Sequence, residues 1–181
     1  MTTEQTAARA GGDVYDQMWA MVTGYWISQI VRGVVDLSIA DHLAGQSLTA
    51  NEVAAREGSA PDTTFRLMRA CVALGLITAD ADGRYGDTAL LATLRKDTPG
   101  SLRDLSVALT LPVHWLPWNE FTTSVRTGHS QVQAVLGMGF FDYLQQHPSQ
   151  ARDFAAGLRS ATSHFVNSRA RIASTTSTNS C

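Results

Sequence analysis

Lysine is almost missing from this chain: Lys96 is the only one among 14 basic residues, and the rest are arginine. That imbalance reads as a coding bias toward GC-rich codons, not as a phosphate-binding device. With 16 acidic residues the net charge is −2, and the isoelectric point is near 6.2. Neither value gives an electrostatic reason to expect nucleic acid or an anionic membrane as partner. Cysteine is scarce too. Cys71 sits in a helical apolar pattern and Cys181 ends the chain, so a disulfide framework is excluded and a reducing cytoplasm is the expected compartment. The opening Met1–Gly12 is polar and small and lacks the basic-then-apolar layout of a secretion signal. The apolar stretch 18–35 is interrupted by Thr23, Ser28, Gln29 and Arg32 and followed by Asp36. A membrane span wants ~20 mostly apolar residues, so that reading is rejected.

What is present is a chain with a core. Hydrophobic residues make up 44% and charged residues 17% of 181 residues, enough for one domain or two small ones. The first strong pattern lies near the start. Val14, Met18, Val22 and Tyr25 share one helical face, and Trp19, Val22, Trp26 and Ile30 share its neighbour. A helix apolar over so much of its circumference needs cover on more than one side. Two arrangements satisfy it: a helix threaded through its own core, or an isologous dimer interface that hides both faces. The dimer is the expectation, with Val14, Met18, Trp19, Val22, Tyr25, Trp26 and Ile30 as its residues.

A helix–turn–helix with a wing follows. The helical period continues over Val31–Leu43 and stops at Ala44-Gly45. Thr49-Ala50-Asn51-Glu52 is a capping box that opens a short helix ending at Gly58. Pro61 suits the first turn of the next helix, which runs through Phe65, Leu67, Met68, Cys71 and Leu74 to Gly75. Leu76–Ala79, Asp80–Gly83 and Arg84–Gly86 spell a hairpin around the turn pair Asp82-Gly83. A winged helix raises duplex DNA as a ligand. Yet the candidate recognition helix offers only Arg66 and Arg69, and the wing sets Asp80 and Asp82 against Arg84. Duplex binding rests on several phosphate contacts from a basic face, so an interaction scaffold is the stronger reading.

Beyond Asp87 the pattern is helical again: Thr88–Leu94, then a helix opened by Pro99-Gly100-Ser101 and running to Pro112. His114-Trp115-Leu116-Pro117-Trp118 leads into Phe121–Val125, which Arg126-Thr127-Gly128 closes. Phe140–Leu144 makes another turn, and Pro148 begins a segment carrying Phe154, Leu158 and Phe165. His114 can line a pocket between its tryptophan neighbours or be a satisfied histidine. His42, His129, His147 and His164 are expected to face solvent. No histidine pair has metal-ligand spacing with cysteine support, and no nucleophile-elbow pattern occurs.

Several of these runs, in this order, resemble a known family. They are Gly24-Tyr25-Trp26, Phe65–Arg69, Leu74-Gly75-Leu76, Pro99–Leu102, Trp118 with Ser124–Gly128, and Phe140–Leu144. Together they look like the N-terminal dimerisation domain of S-adenosylmethionine-dependent small-molecule O-methyltransferases. These are the caffeate and hydroxyindole type and its bacterial polyketide-tailoring relatives. The resemblance covers residues 14 to 172. It implies a mainly α fold: a winged-helix dimerisation domain with a small β-hairpin wing and additional C-terminal helices. The parts are then 1–13 as a flexible start, 14–98 as the winged-helix dimerisation domain, 99–172 as a helical roof over the substrate, and 173–181 as a disordered tail.

The resemblance also implies site residues. A phenylalanine followed four residues on by an apolar residue faces the acceptor in that family; here these are Phe154 and Leu158, with leucine where methionine is usual. Trp115 is a second candidate, able to sandwich a small aromatic acceptor, and Tyr25 and Trp26 are placed to reach across a dimer. The family's S-adenosylmethionine lies in a following doubly wound domain, on a glycine-rich turn after a buried strand. Gly137-Met138-Gly139 precedes Phe140-Phe141 with no strand ahead of it, so it is not read as that turn. No catalytic, cofactor-binding or metal residue is therefore assigned. The expectation is a truncated or split O-methyltransferase, a homodimer or a heterodimer with another methyltransferase chain, inert alone. The alternatives are a non-catalytic module modulating a full-length relative, and a winged-helix DNA-binding regulator.

Overall fold

The computed structural model describes residues 13–177, with side chains described through residue 163. Helix α1 (Val14–Asp36) begins at Asp13, whose carboxylate accepts the Tyr15 N–H at 3.2 Å. It does not continue to residue 43. Ser38 adopts a left-handed conformation with φ of 45°, and a separate short helix α2 (Ile39–His42) follows. Val35, Ile39 and Leu43 keep the i, i+4, i+8 spacing of an unbroken helix across this break, so periodicity conceals it. All three are buried, with Val34 and Ala40. Their burial holds a non-glycine residue in a conformation that costs about 1–2 kcal/mol.

The winged helix is built as its sequence spells. In α3 (Ala50–Glu57) the Thr49 hydroxyl accepts the Glu52 N–H at 3.2 Å, while the Glu52 carboxylate accepts the Thr49 N–H at 2.7 Å. Gly58 caps the helix in the left-handed region. Helix α4 (Pro61–Ala73) carries the buried Met68 and Cys71. Strands β2 (Thr78–Ala79) and β3 (Arg84–Gly86) pair antiparallel. The Asp80 carboxylate accepts the N–H groups of Asp82 and Arg84 at 3.0 and 2.8 Å, and Gly83 takes the positive φ that the turn demands. A third strand, β1 (Leu48–Thr49), pairs with β3 and makes the order β1-β3-β2. Two residues are too few to show alternation, and Thr49 serves as both strand end and helix cap.

One core joins these elements: Val34, Ile39, Leu43, Val53, Met68, Cys71, Ile77, Tyr85 and Leu91 are among its buried members. Burial pushes the Cys71 thiol up to about 12, so it behaves as a small apolar side chain. Helix α5 (Ala89–Ala92) is tied in by Thr88, whose hydroxyl donates to the Leu76 carbonyl at 2.7 Å and accepts the Leu91 N–H at 3.0 Å.

The remaining chain is a string of short helices and one long one: α6 (Arg103–Leu109), α7 (Pro112–Trp115), a 3-10 turn (Leu116–Glu120), α8 (Phe121–Thr127), α9 (Val132–Leu136), α10 (Phe140–Gln146) and α11 (Pro148–Ser177). Pro99-Gly100 forms a turn and α6 starts at Arg103, a few residues later than the proline suggests, because Leu102 N–H bonds the Thr93 carbonyl at 2.9 Å. Arg32 pins α1 to α6, donating to Thr110 Oγ1 at 2.8 Å and to the Val107 carbonyl at 3.3 Å. Helices α6 and α11 cross closely at Gly157, where a Cβ would sit 2.3 Å from Ala108 Cβ and 2.9 Å from the Asp104 carbonyl oxygen. Ser160 donates to the Ser101 carbonyl at 2.5 Å beside that crossing. Regular structure was expected to stop at 172; the backbone of α11 runs on to Ser177. An alanine, serine and threonine run extends a helix already nucleated upstream at little cost. Residues 1–12 of the start expected over 1–13, residues 178–181 and the side chains of His164 and Phe165 lie outside the described residues.

Candidate functional site

The first surface is α1 itself. Val14, Met18, Val22 and Tyr25 stand exposed, with Trp19 at 66% and Trp26 at 49% of their accessible surface. Met21 and Ile27 widen the patch beyond the residues picked out by periodicity. Tyr25 and Trp26 meet edge to face at 5.7 Å between centroids. Ile30 differs from the other expected interface residues, since it packs against the chain's own core. Helix α1 is therefore not threaded through its own domain: its C-terminal third is anchored, and its first three turns project an apolar face to solvent. Beside it runs an apolar groove of about 360 Å³, lined by Ile27, Val31, Leu90, Leu102, Leu105 and Leu109 among others.

The second surface lies on the helices that follow residue 111. Trp115, at the end of α7, lines a cavity of about 500 Å³ with Tyr25, Ser28, Trp118 and Asn119. Phe154 does not join that lining. It packs against Phe140 at 5.3 Å and His114 at 5.5 Å, and His114 meets Phe140 edge-on at 5.4 Å. This three-ring cluster rests on Leu111, Val113 and Leu144. Leu158, one turn beyond Phe154, is 54% exposed. The three residues expected to meet an acceptor thus occupy neighbouring but distinct places: an aromatic cavity, an aromatic cluster and an open helix face.

Sequence reasoning passed over Trp118, Asn119 and Phe140 as site residues. Trp118 is 67% exposed and stacks obliquely on Phe121 at 5.3 Å. It sits in a 3-10 turn after Pro117, where no helical period marks which side faces a cavity. The one available signal was an aromatic repeat, Trp115 and Trp118, spaced one 3-10 turn apart.

Two histidines expected in solvent are partly buried. His42 Nε2 lies 2.5 Å from Glu57 Oε1, joining α2 to α3. His147 stacks on Tyr143 at 3.9 Å, with Nδ1 2.7 Å from the Tyr143 carbonyl oxygen. Both sit near helix ends, which the sequence shows, but their partners lie across turns or on the helix surface. His129 is exposed. Burial holds His114 below its ordinary value of 6.5, so the ring is neutral at physiological pH. Among the described residues no group of three histidine, cysteine, aspartate or glutamate side chains is placed to hold a metal ion. No described helix is long and apolar enough to cross a membrane.

The described residues do not include the glycine-rich turn after a buried strand on which the resemblance places S-adenosylmethionine. That turn follows a parallel strand, whereas the described sheet is antiparallel with strands of two and three residues. Gly137 and Gly139 flank the connection from α9 to α10, and a Cβ at Gly139 would sit 2.9 Å from Asp142 Oδ2. The wing likewise offers little to a phosphate. Arg84 is committed to Glu52 at 3.2 Å and to the Ser47 carbonyl at 2.7 Å.

Comparisons with known proteins agree with this architecture. Residues 19–97 match the family model of the O-methyltransferase dimerisation domain. The chain is 31% identical over 149 residues to phenazine O-methyltransferase PhzM of Lysobacter antibioticus, covering 81% of this chain and 43% of that protein. The crystal structure of LaPhzM superposes with a TM-score of 0.77 at 28% identity, over 83% of this chain and 45% of that one. The O-methyltransferase NcsB1 from neocarzinostatin biosynthesis, solved in complex with S-adenosylmethionine and 2-hydroxy-5-methyl naphthoic acid, gives 0.64 at 31% identity. There the match covers 75% of this chain and 42% of that one. The chain spans under half the length of these relatives. A matched domain and a shared fold converge: residues 19–97 are an O-methyltransferase dimerisation domain, and the chain is similar to under half the length of small-molecule O-methyltransferases.

Proposed function

We propose that these residues provide the dimerisation surface and the substrate-pocket roof of an S-adenosylmethionine-dependent O-methyltransferase acting on small aromatic or polyketide metabolites. The observation that carries this reading is the unburied apolar face of α1 on a domain of the dimerisation type. A second copy, or another methyltransferase chain, covers Val14, Met18, Trp19, Val22, Tyr25 and Trp26. The roof meets the acceptor through Trp115, Phe154 and Leu158. Methyl transfer then requires a donor-binding domain on polypeptide other than the residues described, so no chemical step is assigned to them. Titration of S-adenosylmethionine into the purified 181 residues tests this directly: no heat of binding and no methyl transfer are expected, and saturable one-to-one binding would overturn it.

A non-catalytic module that pairs with a full-length relative shares the same dimer surface. Mixing the two chains separates the readings, since gained methyl transfer favours the split enzyme and altered activity of the relative alone favours the modulator. The duplex-binding reading draws no support from a wing whose arginine is already paired.

A further inference from the structure

Among the described aromatic groups of these later helices, His114 combines a ring held on two sides by packing with ring nitrogens that no described residue engages. Phe140 and Phe154 hold its ring from two sides, at 5.4 and 5.5 Å. Below them the floor is apolar: Leu111, Val113 and Leu144. Neither ring nitrogen is hydrogen-bonded to another described residue, and neither is sealed from solvent. By contrast His42 and His147, also partly buried, each spend a nitrogen on a partner within 2.7 Å. A half-buried imidazole whose nitrogens remain reachable takes its hydrogen-bond partners from water or from a ligand that replaces that water.

We propose that His114 is an acceptor-contacting residue, the hydrogen-bond partner of a hydroxyl or ring nitrogen on an aromatic ligand that packs against Phe154. This rests on the roof reading above and adds the polar contact that reading lacks, because Trp115, Phe154 and Leu158 offer shape and stacking but only one donor, the Trp115 indole N–H. Being neutral, the imidazole presents one donor and one acceptor nitrogen. It therefore selects for a hydroxylated or aza-aromatic edge over a plain hydrocarbon of the same outline. Discrimination of that kind comes from polar groups that would otherwise be left unpaired.

The test uses the 181-residue protein with two probes, 2-naphthol and naphthalene, followed by NMR. The expected result is that 2-naphthol perturbs the His114 ring nitrogens together with Phe154 and Trp115, and binds more tightly than naphthalene. His114→Phe keeps an aromatic ring in the cluster; it should weaken 2-naphthol roughly fivefold to tenfold, the size of one hydrogen bond, and leave naphthalene unchanged. Unaltered Leu144 methyl shifts in the variant verify that the cluster remains packed, and His114→Gln, which restores a donor and an acceptor, should recover part of the loss. If both probes perturb Phe154 and bind the variant as tightly as the parent protein, the assignment of His114 is overturned while the roof stands. If neither probe perturbs Phe154 or Trp115, the roof reading fails and His114 falls with it.

Discussion

The two halves of this chain bury their apolar side chains to very different degrees. Among the described residues the winged helix and the end of α1 share a core of fifteen buried residues, whereas the cluster on the later helices has three, Leu111, Val113 and Leu144, with Phe140, Tyr143 and Phe154 only partly covered. The winged helix closes over most of its apolar side chains, leaving Phe65 and Leu90 at its surface. The later helices, like the first turns of α1, leave a larger share of their apolar groups at the surface, Trp118, Phe121, Val125 and Phe141 among them. A face left open by its own domain is where a partner or ligand is accommodated. The contrast therefore separates the part of the molecule that makes the fold from the parts to which the proposed function assigns partner and ligand.

Substitutions can break or sharpen that contrast. The largest effect is expected in the closed core: Met68→Ala should cost about 2–5 kcal/mol in chemical denaturation. Next comes Trp26→Ala. Half-exposed in the single chain, Trp26 should give up little monomer stability but weaken self-association by about 2 kcal/mol or more, read by sedimentation across concentration. A variant that stays dimeric at the same concentrations would remove α1 from the interface. Gly157→Ala should cost about 1–3 kcal/mol, because the new methyl meets Ala108 and the Asp104 carbonyl at the α6–α11 crossing. Thr49→Ala, which deletes a helix cap in the closed half, should cost about 1 kcal/mol.

The smallest effect concerns pH. His114 resists protonation when folded, so the unfolded chain binds the proton more readily. Its contribution to stability is complete above the ordinary value of 6.5 and is lost as pH falls through the lower folded value. Melting temperatures at about pH 7.5 and about pH 5.5 should differ less for His114→Phe than for the parent protein. Glu52 acts on the acid side of this window. Its hydrogen bonds from Thr49 hold its carboxyl below the ordinary 4.5, so the stability of that cap persists until the pH drops beneath that value.

Local punctuation was what the sequence disclosed best. The Thr49–Glu52 capping box, Pro61 at a helix start and the Asp82-Gly83 turn each depend on a few adjacent residues, and each stands where it was read. Features set by tertiary contact were hidden. The break at Ser38 kept a helical period, β1 was too short to alternate, and His42 found Glu57 fifteen residues away. The site was legible only in part. The exposed run of α1 was visible as apolar excess, with Ile30 the exception because it turns toward the core. Trp115 and Phe154 were named together, yet one lines a cavity with Trp118 and the other packs on His114. Which aromatic faces which neighbour depends on the short helices between residues 112 and 146, whose directions are set by turns and not by period.

The proposed function requires that α1 meet a second subunit. Sedimentation equilibrium of the purified chain tests it most directly. The account predicts a species of twice 19.5 kDa that persists on dilution until the interface dissociates. A single 19.5 kDa species at every concentration would contradict it.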